Sequence, residues 1–226
     1  VQLLPGLAKF IIVGLPDKAI REAGERVQSA LAASGLSLPP KRITVNLAPA
    51  DLPKEGSHYD LPIALALMAA LGAIPSDSLD GYLALGELGL DGTLAPTAGV
   101  LPAAMAANAR DLGIVCPAPS GPEAAWADAE MVVVAPQTLL ALVNHLGGYQ
   151  LCARPQPRRR ALAGALPDLS EVRGQEVARR ALEIAAAGGH NLLMVGPPGA
   201  GKSMLAQRLP YILTQLSPRE LRDLSM

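Results

Sequence analysis

Aromatic side chains are scarce in this chain. One phenylalanine (Phe10), one tryptophan (Trp126) and four tyrosines make up 3% of the 226 residues. So thin an aromatic content argues against stacking platforms for nucleobases. An excess of one charge is missing too: 19 basic residues face 20 acidic ones, for a net charge of −1. The whole chain is therefore no electrostatic magnet for nucleic acid. The two cysteines, Cys116 and Cys152, form neither a disulfide framework nor a CxxC pair, and a reduced compartment is the simplest expectation. His58, His145 and His190 are too scattered to suggest a metal site. No apolar run reaches the roughly 18–20 residues of a membrane span: residues 61–74 are too few, and the uncharged stretch 92–109 is interrupted by Pro96 and Pro102. There is no signal-peptide pattern. The sequence opens on Val1 and ends at Met226 in a polar stretch, so the expectation is an excerpt from a longer, cytoplasmic protein.

What is present is apolar and small. Hydrophobic residues make up 50% of the chain, enough to bury a sizeable core. Short apolar runs alternate with amphipathic ones up to about residue 148. Strands are expected at "FIIVG" (10–14), "RITVNLAP" (42–49), "YLALGEL" (82–88), "GIVCPA" and "MVVVAP". Helices are expected at 16–35, 61–73, 99–110 and "QTLLALVNHL". In the first helix Pro16 suits the opening turn, Gly35 the end, and Glu22 to Arg26 a favourable i,i+4 pair. Its stripe is Ile20, Ala23, Val27, Ala30, Leu31 and Ser34. "GLDGTL" predicts a hairpin, hence a mixed rather than purely parallel sheet. Residues 1–150 thus read as one α/β domain. "CARPQPRRRALAGALP" carries three prolines, four arginines and no apolar period, so 151–167 reads as a linker. From 168 to 226 a second pattern runs: "SEVRGQEVARRALEIAAAGGH" as a helix, "NLLMVG" as a buried strand, and "MLAQRLPYILTQL" as a helix.

Between those last two elements lies "GPPGAGKS" (196–203), which fits the phosphate-binding pattern G-x-x-x-x-G-K-[ST]. Gly196, Gly199 and Gly201 let the backbone turn tightly and aim N–H groups at phosphate oxygens, helped by the N-terminus of the following helix. Lys202 would bridge the terminal phosphates of ATP, and the Ser203 hydroxyl would ligate Mg²⁺. Pro197, Pro198, Ala200 and Met204 complete the nucleotide-binding candidates. Hydrolysis also needs an acidic residue at the end of a neighbouring strand. "MLAQRLPYILTQLSPRELRDLSM" holds Glu220 and Asp223 but no such strand. No catalytic residue is therefore assigned, and the chain by itself is expected not to hydrolyse ATP at a meaningful rate.

"DLSEVRGQEVARRALEIAAAGGHNLLMVGPPGAGKSMLAQRLP" resembles the magnesium-chelatase-like AAA+ ATPases, and more narrowly the YifB/ComM family of bacterial competence-associated proteins. "IVGLPDKAIREAGERVQSAL" and "PPKRITVNLAPADLPKEGSHYDLPIALAL" are similar to that family's N-terminal Lon-protease-like domain. The resemblance implies a mixed α/β domain of the Lon-protease (ribosomal protein S5 domain 2-like) type, entered partway, followed by a truncated P-loop AAA+ domain. It further implies a cytoplasmic ATPase using ATP and Mg²⁺, a ring (a hexamer) and action on DNA, with branch migration in natural transformation as the role. Val172, Arg173, Gly174 and Gln175 fall where such proteins contact adenine. Alternatives are a degenerate Lon-like peptidase or peptide-binding module coupled to an ATPase, and the motor subunit of a metal chelatase.

"KEGSHYDLPIALAL" (54–67) gathers Lys54, Ser57, His58 and Asp60. Adjacent Ser57 and His58 point to opposite sides of an extended chain, which disfavours a local triad. Lon-like proteases use a serine–lysine dyad, but the resemblance puts the serine position near Asp60 and the lysine position at Leu101. The expectation is structural: Asp60 caps a helix that tolerates Pro62 in its first turn, with Ile63, Leu65, Leu67, Met68 and Leu71 in the core. Arg154, Arg158, Arg159 and Arg160 are candidates for gripping DNA phosphates, against the plainer reading of a solvated charged linker. Cys116, His190 and the "GELGLDGTLAPTAGV" hairpin read as structural.

Overall fold

The computed structural model describes residues 1–157 and 167–213, which divide into two compact units, 1–157 and 167–213. Both mix helices with extended segments, and the strands lie in the first unit.

That unit is built on three small sheets instead of one. Strand β3 (Arg42–Asn46) is central to the first, pairing antiparallel with β1 (Gln2–Leu4) and parallel with β2 (Lys9–Val13). Ile43 and Val45 are buried and Arg42 and Asn46 exposed, the alternation of a half-buried strand. The second sheet is parallel, with β7 (Gly113–Val115) between β4 (Tyr82–Ala84) and β8 (Val133–Val134). The third is the hairpin of β5 (Glu87–Leu88) and β6 (Leu94–Ala95), closed at Gly92 with φ 83°. The expected strand over 82–88 is divided at Gly86. There the Gly86 carbonyl accepts from Leu61 N and the Gly86 N–H donates to the His58 carbonyl, so neither is free for a ladder. A Cβ at Gly86 would come within 3.1 Å of Leu61 and 3.2 Å of Pro117.

Helix α1 (Lys18–Ala33) begins two residues later than expected: Asp17 is its N-cap and accepts from Ile20 N at 2.8 Å, which leaves Pro16 outside. Ile20, Ala23, Val27, Ala30 and Leu31 are fully buried as expected, Gly24 joins them, and Ser34 is half-buried. Gly24 is small because Phe10 lies where its Cβ would be, 3.0 Å away. The expected Glu22–Arg26 pair does not form; Glu22 meets Lys18, and Arg26 turns to Asp60. Helix α2 (Asp60–Ala70) buries Leu61, Ile63, Ala64, Leu65, Leu67 and Met68. Leu71, just past its end, is half-buried.

These elements enclose a first core, joined by Leu88, Leu94 and by Leu139 and Leu142 of helix α5 (Leu139–Leu146). A second core lies between the parallel sheet, helix α3 (Val100–Asn108) and the short α4 (Gly121–Ala124). Residues 151–157 have no regular secondary structure, but Cys152 packs on the first core and its N–H donates to His145 Nδ1 at 3.0 Å.

The second unit has helix α6 (Glu176–Gly188), helix α7 (Lys202–Ala206) and a single turn, α8 (Leu209–Ile212). The helix expected from Ser170 starts only at Glu176, because Gly174 and Gln175 both adopt left-handed backbone. The helix expected through "RLPYIL" breaks between Ala206 and Leu209, since Pro210 has no N–H and its ring would clash with the Ala206 carbonyl. The strand expected at 191–195 does not form: the segment has no regular secondary structure, and no strand pairs with it among the described residues. Met194 packs on the small core, while Leu192, Leu193 and Val195 are exposed, the last two at 86% and 87%. That core comprises Leu169, Val172, Leu182 and Leu205.

Candidate functional site

The glycine loop follows residues 191–195 directly. Gly199 and Gly201 have φ of 82° and 79°, a backbone that side-chain-bearing residues rarely adopt. Ala200 N reaches back to the Pro197 carbonyl at 3.3 Å, which closes the turn. Lys202 opens α7, and its Nζ donates to the carbonyls of Gly196 and Pro197, both at 2.8 Å. An ammonium that holds two oxygens beside glycine backbone suits an anion carrying several oxygens. Leu205, 2% exposed, anchors α7 to the core, while Ser203 and Met204 lie on its exposed side.

The segment 168–175 wraps around this loop and helix. Gln175 Nε2 donates to the Ala200 carbonyl at 3.1 Å. Arg208 donates to Glu171 Oε2 at 2.8 Å, to the Asp168 carbonyl at 3.1 Å and to the Met204 carbonyl at 2.9 Å. The Ser170 hydroxyl and N–H hold the Asp168 carboxyl below its ordinary range. Of the adenine-contact candidates, Val172 is buried in the small core, Arg173 and Gly174 are exposed, and Gln175 touches the loop itself. Sequence reasoning missed Arg208, whose carboxylate partner lies 37 residues away. No local spacing could reveal that pair.

The stretch around Ser57 goes to separate partners. Ser57 Oγ donates to Glu87, His58 stacks against the Tyr59 ring, and Asp60 is fully buried against Arg26. Arg26 Nε and Nη2 donate to the two Asp60 oxygens at 2.6 and 2.9 Å, and Leu88 N adds a third bond at 3.2 Å. Asp60 therefore does not cap α2; Tyr59 holds the cap position and makes no side-chain bond. Lys54 is 5% exposed and its Nζ donates to the Pro49 and Leu52 carbonyls. Leu101 is a buried member of the second core. No triad is assembled here.

Arg154 Nη2 donates to the carbonyls of Ala129 and Met131. Arg158, Arg159 and Arg160 lie outside the described residues, as do Glu220 and Asp223. Among the described residues no cluster of histidine, cysteine or carboxylate side chains is arranged for a metal ion, and no helix is long and apolar enough to cross a membrane.

This combination of a first α/β unit and a glycine loop has a known counterpart. The family profile described as subunit ChlI of Mg-chelatase matches residues 1–120, and a second, magnesium chelatase subunit ChlI, matches residues 168–226. The class is therefore magnesium-chelatase-like. The chain is 44% identical over 220 residues to a protein named YifB of Escherichia coli, covering 97% of this chain and 43% of that one. It is 41% identical over 225 residues to competence protein ComM of Haemophilus influenzae, covering 97% and 44%. The chain thus belongs to the YifB/ComM magnesium-chelatase-like family, and it spans less than half the length of these relatives.

Proposed function

We propose that this chain carries the nucleotide-binding part of an AAA+ ATPase that acts on DNA. The observation that carries the reading is the 196–203 loop, with left-handed Gly199 and Gly201 and a lysine amino group gathering oxygens at its mouth. In this reading Lys202 exchanges its two carbonyls for phosphate oxygens of ATP, the loop N–H groups from Gly199 to Met204 face the same phosphates, and Ser203 holds Mg²⁺. When bound, Mg²⁺ neutralises phosphate charge; this chain supplies the phosphate cradle but not the strand-end carboxylate that hydrolysis needs. The 168–175 segment flanks the nucleotide. Residues 1–150 form the Lon-like domain, 151–167 the linker, and 168–226 belong to the AAA+ domain.

The DNA role rests on the competence protein among the relatives, and on Arg158, Arg159 and Arg160 in the linker. Arg154 supports it least, because its guanidinium already serves two backbone carbonyls. Ring assembly, a hexamer, goes with the AAA+ assignment. Peptide cleavage finds no support in the Ser57 geometry. The test is ATP turnover by the whole protein with branched DNA, single-stranded DNA or unfolded peptide added. Stimulation by DNA, abolished in Lys202→Ala, is expected; stimulation by peptide alone, or turnover indifferent to Lys202, would refute the proposal.

A further inference from the structure

Gln175 sits badly in its own local structure. It occupies the N-cap of α6 with φ 53° and ψ 40°, directly after Gly174 with φ 69°. Left-handed backbone suits glycine, and otherwise asparagine or aspartate, whose short side chains also cap helices well. Gln175 makes no capping bond to α6. Its side chain instead crosses 25 positions of sequence to donate from Nε2 to the Ala200 carbonyl, inside the glycine loop.

The consequence lies one atom further on. The peptide joining Ala200 to Gly201 is planar and trans, so its C=O and N–H point in opposite directions. A donor that holds the Ala200 carbonyl on one side therefore turns the Gly201 N–H to the other. Gly201 is also the residue where a Cβ would press on Gln175, 3.0 Å from Nε2, so the loop and the strut fit each other closely. Glycine on either side of a peptide lets it flip at little cost, and among the described residues no other donor bonds the Ala200 carbonyl.

We propose that Gln175 is a positioning residue for the phosphate loop: it locks the 200–201 peptide so that the Gly201 N–H faces the phosphates, and it does not read the base. This rests on the nucleotide-binding reading above. Without the strut the peptide samples both orientations, and the apparent affinity falls with the fraction still competent. A neutral hydrogen bond shifts such an equilibrium about fivefold.

The test uses the whole protein and titrates Mg·ATP, Mg·GTP and inorganic tripolyphosphate against Gln175→Gly, Gln175→Glu and Lys202→Ala. Gln175→Gly relieves the left-handed backbone, so its thermal midpoint is expected to stay level or rise. Its affinity is nonetheless expected to fall about fivefold, by the same factor for all three ligands. Gln175→Glu keeps the size but has no donor for a carbonyl, and is expected to lose at least as much. Wild-type affinity in Gln175→Gly would overturn the proposal. So would a change in ATP over GTP preference with tripolyphosphate binding untouched, since that would place Gln175 on the base. If Lys202→Ala binds as tightly as wild type, the nucleotide reading itself fails, and this control separates the two failures.

Discussion

Asp60 is the residue whose loss the first unit should feel most. Its carboxylate is fully buried and accepts three bonds, two from Arg26 and one from Leu88 N, thereby tying α1, the start of α2 and the β5–β6 hairpin together. Arg26 keeps 20% of its side chain exposed and has one other partner, the Ala19 carbonyl at 2.8 Å. In Asp60→Ala the guanidinium is left largely desolvated with a single acceptor, and Leu88 N loses its own. Breaking a buried pair from one side costs about 3–5 kcal/mol. The water still reaching Arg26 argues for the lower end, about 3 kcal/mol. For a unit of this size that is a drop of roughly 6–12 °C in melting temperature, and a large share of a total stability of about 5–15 kcal/mol. Urea unfolding followed by circular dichroism measures it. The double variant Arg26→Met/Asp60→Leu removes both charges and is expected to recover more than half of the loss, because an apolar pair of similar volume replaces a buried ion pair at little cost. A loss below about 1 kcal/mol in Asp60→Ala, or single-site losses that add in the double variant, would refute the reasoning.

Two further outcomes follow from the titrating groups. Asp17 is held below its ordinary value of 3.8 by the Ile20 and Gly56 N–H groups; a folded-state value below the unfolded one gives stability that is present above 3.8 and lost as pH falls through the folded value, so Asp17→Asn, which keeps a capping oxygen, should flatten the loss of stability below that pH in urea titrations. Cys116 is fully buried, and burial pushes its thiol up to about 12; iodoacetamide at pH 8 should label Cys152 in the folded protein and reach Cys116 only after unfolding, and equal labelling of both would contradict the core placement.

Much of the first unit was legible because its signals are local and periodic. The α1 stripe and the alternation of β3 each follow from burying one face of a single element, and the Asp-Gly turn from backbone that glycine tolerates. What failed to show were partners far apart in sequence. Arg26 has a carboxylate at i−4, the spacing that stabilises an isolated helix, yet it pairs with a residue 34 positions on. A buried acceptor outweighs an exposed one for a guanidinium that must lose water anyway. The strand predicted at 191–195 misled for the converse reason: a continuous apolar run says that the segment would be buried and cannot supply the neighbours that bury it. In the candidate site the loop was legible as a motif, because its glycines and lysine are contiguous. Gln175 was legible only as a candidate beside the base, and Arg208, which ties α7 to Asp168 and Glu171, was not legible at all.

The same distinction explains why Lys54, Ser57 and Asp60 suggested chemistry that their positions do not perform. The serine–lysine dyad and the serine triad need a lysine amine or an imidazole in hydrogen-bond reach of the serine hydroxyl. Here the ammonium of Lys54 is turned onto two carbonyls, Ser57 donates to Glu87, and Asp60 is enclosed by α1, α2 and the hairpin. Each of these polar groups has its partner: Lys54 within its own loop, Ser57 in the hairpin, and Asp60 in α1 and the hairpin. Burying such groups is tolerable only when they are satisfied in this way. Polar residues that would otherwise destabilise a core become joints at the one place where helix, loop and hairpin converge. A substitution that freed Ser57 for catalysis would have to take Glu87 away from it, and so weaken the joint before any activity could appear.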